Sequence, residues 1–226
     1  MEDKKKLKVW NLEPFKNGNL FACLIIGARK SGKSHLIKHL YRICQFDKYY
    51  DKVIVFCNSG EIYEYYCEFV FGNLIFKEFR KEILENIMKL SEMQREKGKP
   101  KKYLIIFDDS VGYDEKNCDS ILQIYATGRH FNISIIFCSQ RLLLTNTTAR
   151  CNSDVIFIGR LKSANERKTI IDQFFKGSIT VNSRQTENNI YNEIVNNYTM
   201  DYNFIALDFS NNKMIDFYDT TYYYKA

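Results

Sequence analysis

Hydrophobic and polar positions along the chain alternate between short unbroken apolar runs and longer amphipathic stretches. Six runs predict buried strands, at residues 20–27, 52–57, 103–108, 133–138, 155–159 and 204–209. A strand covered on both faces loses the polar-apolar alternation of a half-exposed one and reads as continuous Val, Ile, Leu and Phe. Between the runs, apolar residues recur at helical spacing over 33–44, 79–97, 117–127, 164–175 and about 187–196. Alternating strand and helix feeds each strand back parallel to its predecessor. The expected fold class is α/β, three layers deep, with a mainly parallel sheet flanked by helices.

Pro14 and Pro100 both fall outside the periodic segments, and no repeat or low-complexity linker divides the chain. One domain over residues 1–226 is therefore expected. It carries a basic N-terminal extension at 1–17 and a less regular C-terminal helix and hairpin over 177–226. In that hairpin residues 213–216 are expected to pair with 204–209. Tyr222, Tyr223 and Tyr224 read equally as a docking tail or a frayed end.

The first apolar run leads into Gly27, Ala28, Arg29, Lys30, Ser31, Gly32, Lys33 and Ser34, which fit the phosphate-loop pattern G-x-x-x-x-G-K-[ST] at every fixed position. The flanks fit as well, since a strand precedes the loop and a helix opens at its end. Glycines let successive backbone N–H groups turn inward around phosphate, and the helix N-terminus adds its positive pole. Lys33 is expected on the β- and γ-phosphates of ATP and the Ser34 hydroxyl on Mg²⁺. A chance glycine-rich turn is the plain alternative. Arg29 and Lys30 are the variable loop positions, facing solvent or a neighbouring subunit. His35 closes the binding segment and stands four residues before His39. Two imidazoles at that spacing make no metal site without a third ligand, and they read as helix-surface residues.

The run at 103–108 ends in Asp108 and Asp109. Ligands collect at the carboxyl ends of parallel strands, so Asp108 is expected to hold Mg²⁺ and Asp109 to polarise the attacking water. Successive residues on a strand point to opposite faces, which suits two roles. The run at 133–138 ends in Ser139 and Gln140, and Gln140 can hydrogen-bond both the lytic water and the γ-phosphate.

Composition narrows the classes. Of the residues, 45% are hydrophobic and 27% charged, a globular balance, with a net charge of +6. That charge suits nucleic acid or a plain soluble protein equally. The seven cysteines include no C-x-x-C pair and several lie within apolar runs. They read as buried free thiols in a reducing compartment. Lys4, Lys5, Lys6 and Lys8 precede no signal-peptide core, and no apolar stretch approaches the ~18 residues of a membrane span. The expectation is a soluble intracellular protein, not bound to a membrane.

Four passages, 27–34, 104–110, 127–134 leading into 137–140, and 149–154 followed by 164–175, together resemble the FtsK–HerA branch of P-loop ATPases. The likeness is greatest to the genome-packaging ATPases of large double-stranded DNA viruses, poxviruses and virophages. It implies a RecA-like, ASCE-type P-loop core and an ATP-driven motor that moves double-stranded DNA into a capsid. It further implies a homo-oligomeric ring, pentamer or hexamer, that docks on capsid or portal vertex proteins in the host cytoplasm or the virion. An arginine finger donated in trans is implied too; Arg129 fits best, with Arg150 second. Cellular members usually carry Glu where this chain has Asp109, and their membrane and DNA-orienting segments have no counterpart here. Lys4–Lys8 and the stretch 95–102 are candidate DNA contacts, or solvated surface. A helicase-type motor of the same superfamily, a nucleotide or nucleoside kinase and a non-hydrolysing nucleotide switch or scaffold are the competing readings.

Overall fold

The computed structural model describes residues 6–108, 118–176, 184–210 and 217–225. Among them nine strands form one sheet: β1 (Lys8–Val9), β2 (Ala22–Ile26), β3 (Lys52–Phe56), β4 (Ile75–Phe76), β5 (Tyr103–Phe107), β6 (Ile133–Ser139), β7 (Val155–Ile158), β8 (Asn203–Asp208) and β9 (Thr221–Lys225). Across the sheet the order is β1-β9-β8-β7-β2-β6-β5-β3-β4. Only β7 with β8 and β8 with β9 pair antiparallel, so β8 alone runs against the others.

The described helices are α1 (Lys33–Ile43), α2 (Phe46–Tyr49), α3 (Gly60–Cys67), α4 (Lys81–Glu96), α5 (Asp119–Thr127), α6 (Thr147–Cys151), α7 (Ala164–Ile170), α8 (Arg184–Tyr198) and α9 (Phe217–Thr220). A π-helical turn, Ile171–Phe175, extends α7.

Side chains alternating along each strand feed two separate cores. Leu24, Ile26, Ile105, Phe107, Ile135 and Phe137 share one with Leu84, Ile87, Ile121 and Ile124 from α4 and α5. Cys23, Ile25, Leu104, Ile106, Ile136 and Cys138 share the other with Leu36, Ile37 and Leu40 of α1 and with Tyr66 of α3. Both faces of the sheet are covered, which is why the strands read as unbroken apolar runs. The three-layer α/β architecture expected from the pattern is the one observed, and all six expected strands form.

The sheet gains three strands that the pattern does not show. Strands β1 and β4 have two residues each, too few to carry a period. Strand β9 is built from the three terminal tyrosines. It pairs with β8 in the register Phe204↔Tyr224 and Ala206↔Tyr222. Residues 213–216, expected as the hairpin partner, lie outside the described residues, and Thr221–Lys225 occupies that edge of β8.

The start of the chain packs onto this margin. Strand β1 runs parallel to β9, and the Trp10 Nε1 donates a hydrogen bond to Asp208 Oδ2 at 2.8 Å. Trp10 and Phe15 are buried, each worth about 1.5–3 kcal/mol in apolar burial. Part of the segment read as a basic extension is thus core. All seven cysteines are free; Cys67 and Cys151 are exposed and the other five buried.

Candidate active site

Strand β2 carries the chain to Gly27 between the carboxyl ends of β6 and β7. The Gly27 N–H donates to the Ser139 carbonyl at 3.1 Å, and the Ala28 N–H to the Arg160 carbonyl at 2.9 Å. The loop then folds on itself, with the Ser31 N–H donating to the Ala28 carbonyl at 3.2 Å. A Cβ on Gly27 would lie 2.5 Å from Ser31 Oγ, so a larger residue there would have to displace the Ser31 hydroxyl. Lys30 and Gly32 have φ of +63° and +90°, the left-handed backbone that aims successive N–H groups inward.

Helix α1 begins directly behind. Its first described bond runs from the Leu36 N–H to the Gly32 carbonyl at 2.8 Å, and no side chain caps its N-terminus. The opening N–H groups of a helix have no partner within it, so those of Lys33, Ser34 and His35 stand ready for an anion. Lys33 Nζ curls back over the loop and donates to the carbonyls of Gly27 (2.9 Å) and Ala28 (3.1 Å). Ser31 Oγ is buried without a hydrogen-bond partner, an arrangement natural proteins rarely leave unanswered. Uncapped N–H groups, a lysine folded across the mouth and an unanswered hydroxyl all suit a nucleotide's phosphates. Arg29, Lys30 and His35 are exposed.

Strand β5 brings Asp108 to the same end of the sheet, where it is buried. Its N–H is held by the Phe56 carbonyl at 2.9 Å. The Tyr66 hydroxyl donates to Asp108 Oδ2 at 3.1 Å. Burial, and then the charge of Asp108, raise the Tyr66 hydroxyl well above its ordinary range, which keeps it a donor. The Cys138 thiol is likewise raised, by burial first and then by Asp108, to which it is hydrogen-bonded; Lys33 acts in the opposite direction. Lys33, Asp108 and Cys138 thus share one electrostatic neighbourhood. Asp109 lies outside the described residues.

Gln140 directly follows Ser139, whose carbonyl receives the Gly27 N–H. The Ser139 hydroxyl ties off the turn by donating to the Arg141 carbonyl at 2.8 Å. Arg141 in turn meets Glu166 of α7 at 3.0 Å. Gln140 is half-buried. Among the described residues, no group of three or more His, Cys, Asp or Glu is placed to hold a metal ion unaided. Ser34 in the loop and Asp108 at the same end of the sheet are oxygen donors that could hold Mg²⁺ together with a nucleotide. His39 packs its ring 5.9 Å from that of Tyr224 and is lowered from its ordinary range by burial and then by His35.

Arg129 lies at the opposite end of the sheet. It precedes β6, whose length carries it about 20 Å from the loop, and it forms an ion pair with Asp154 ahead of β7. Asp154 also accepts the Ala22 N–H at 2.8 Å. Burial raises the Asp154 carboxyl above its ordinary range, while the Ala22 N–H and Arg129 pull it down. Arg150 of α6 donates to the Thr147 hydroxyl at 2.8 Å. Lys97, Lys99 and Lys101 are exposed at this same end, ahead of β5.

Two residues beside the site carry no signal in the sequence. Tyr66 sits on a helix of eight residues in a stretch without clear period. Tyr202 precedes β8 and lies across Gly32: a Cβ on that glycine would be 3.0 Å from Tyr202 Cδ1.

Among solved structures, the chain is similar to the genome packaging NTPase B204 of Sulfolobus turreted icosahedral virus 2 with ATP-gammaS. The identity is 18%, the TM-score 0.60, and 91% of this chain and 97% of that one are covered. B204, the DNA-packaging ATPase from Sulfolobus turreted icosahedral virus, matches at 19% identity and a TM-score of 0.61, covering 91% and 97%. ATPases 2 and 3 of EssC from Geobacillus thermodenitrificans match at 13% and 0.53, covering 69% of this chain and 35% of that one. At these identities the likeness is one of fold, a P-loop ATPase fold. No curated protein matches the sequence. The model of the poxvirus A32 protein family matches residues 15–174, a span that holds the phosphate loop, Asp108 and Gln140, and the chain belongs to that family.

Proposed function

We propose that this chain is a genome-packaging ATPase, a motor that hydrolyses ATP to drive double-stranded DNA into a capsid. The observation that carries the reading is the phosphate loop, complete in sequence and in geometry, within a chain of the poxvirus A32 family. B204, which shares the fold, is described as a DNA-packaging ATPase.

The residues divide the work. Loop N–H groups and Lys33 bind the phosphates and orient the γ-phosphoryl group for in-line attack. Mg²⁺, held by Ser34 and Asp108, would supply charge neutralisation at the phosphates. Asp109 polarises the attacking water and Gln140 orients it against the γ-phosphate. Arg129 lies too far from its own loop to serve it, and in a homo-oligomeric ring it acts on a neighbour's nucleotide. Exposed Lys97, Lys99 and Lys101 grip DNA phosphates without reading sequence. No described helix is long and apolar enough to cross a membrane, consistent with work at a viral assembly site.

ATP turnover measured with and without duplex DNA, across a salt series, tests the reading. Stimulation by duplex of any sequence, lost as salt rises, is expected. Stimulation by a nucleoside and none by DNA would replace the motor with a kinase.

A further inference from the structure

The turn before β8 holds two consecutive residues in left-handed backbone, Asp201 at φ +54° and Tyr202 at φ +61°. Aspartate tolerates that region; tyrosine seldom enters it. The Asn203 N–H locks the turn by donating to the Met200 carbonyl at 2.9 Å. The result is an aromatic ring that is 64% exposed, held by its backbone rather than by burial. Strained, exposed side chains concentrate where a ligand is clamped.

Its position says which ligand. Strand β8 runs antiparallel to β7, with Ile205 opposite Ile158, so its first residues rise at the phosphate-loop end of the sheet. There the ring lies along Gly32, with Cδ1 3.0 Å and Cβ 3.4 Å from where a Cβ on that glycine would be. Gly32 is the residue from which α1 departs. Asp108, after β5, stands on the β6 side of β2 and the start of β8 on the β7 side, so a nucleotide with its γ-phosphate toward Asp108 would turn its nucleoside toward this ring. Met200, in the same turn, is also exposed and adds apolar surface.

We propose that Tyr202 is the base platform of the nucleotide site, stacking its ring on the purine of the bound nucleoside triphosphate. The proposal rests on the phosphate-loop reading. Every base presents a π-face, so the ring adds affinity without choosing adenine over guanine.

Binding of MgATP, MgGTP and inorganic tripolyphosphate to the full chain tests this, by competition against a fluorescent nucleotide. Tyr202→Asn suits the left-handed backbone and removes the ring; Tyr202→Phe keeps the ring. In Tyr202→Asn, ATP and GTP are expected to bind about tenfold more weakly while tripolyphosphate competes as in the wild type. Tyr202→Phe should bind all three normally. Unchanged ATP affinity in Tyr202→Asn would overturn the proposal. So would an equal loss for all three ligands, because the ring would then only support the loop. Lys33→Ala separates the underlying reading: it should lose all three, and if it kept them the phosphate loop itself would be misassigned whatever Tyr202 did.

Discussion

The Tyr66 hydroxyl donates a hydrogen bond to Asp108 Oδ2 at 3.1 Å, and both side chains are buried. Strand β5 and helix α3 meet at this bond, so the carboxylate at the end of the strand is oriented from across the second core. A hydrogen bond to a charged group contributes about 1.5–3 kcal/mol. Tyr66→Phe keeps the ring packing and is expected to lower the unfolding free energy by about that amount. Urea denaturation at unchanged slope would measure it. The same variant should need more Mg²⁺ for half-maximal ATP turnover, because Asp108 is less firmly aimed. A variant of wild-type stability and Mg²⁺ demand would show that the bond is incidental.

Gly32→Ala tests the backbone of the loop. Its φ of +90° and the ring of Tyr202 both oppose a Cβ. Left-handed backbone costs a non-glycine residue about 1–2 kcal/mol. The expected outcome is at least about a tenfold loss of ATP affinity, read by calorimetric titration, with the fold intact by circular dichroism.

Lys33→Ala should abolish ATP hydrolysis without unfolding the chain. Among the described residues its ammonium hydrogen-bonds the loop carbonyls of Gly27 and Ala28, so the substitution removes two loop hydrogen bonds rather than apolar packing. Turnover near the wild-type rate in the purified variant would refute the assignment.

Much of this was legible in the sequence, and the remainder has identifiable causes. Doubly buried strands announce themselves as unbroken apolar runs, so β2, β5 and β6 could be located, with the loop, Asp108 and Gln140 at their carboxyl ends and Asp109 outside the described residues. The loop could be assigned because Gly27, Gly32, Lys33 and Ser34 fill every fixed position of the phosphate-loop pattern, and Gly32 takes up the left-handed backbone at φ +90°. Tyr66 could not, because only the fold brings α3 over β5. Strand β9 was hidden because Tyr222, Tyr223 and Tyr224 are apolar and polar at once. Arg129 was singled out by resemblance, and its pairing with Asp154 joins segments 25 residues apart that no local spacing connects.

Arg129 offers a test that couples pH to assembly. Burial raises the Asp154 carboxyl and Arg129 counteracts it. Below the ordinary carboxylate range, Asp154 is protonated folded and unfolded, and the ion pair contributes nothing. As pH rises through the elevated folded value, the buried charge comes to depend on Arg129. The melting-temperature gap between wild type and Arg129→Ala should therefore be wider at pH 7 than near pH 3. At neutral pH the variant should bind ATP normally yet hydrolyse it poorly. Mixing it with Lys33→Ala should restore some turnover, because each supplies what the other lacks across an interface. If Arg150→Ala complemented Lys33→Ala and Arg129→Ala did not, Arg150 would be the finger.

ATP hydrolysis is expected to drive movement along intact duplex DNA. The most direct measurement is displacement of a fluorescent third strand from a triplex built on linear duplex, with MgATP. The expected result is ATP-dependent release of the third strand while the duplex stays paired, with no release by Lys33→Ala. Separation of the duplex strands would make the chain a helicase, and active ATP hydrolysis with the triplex undisturbed would contradict a translocating motor.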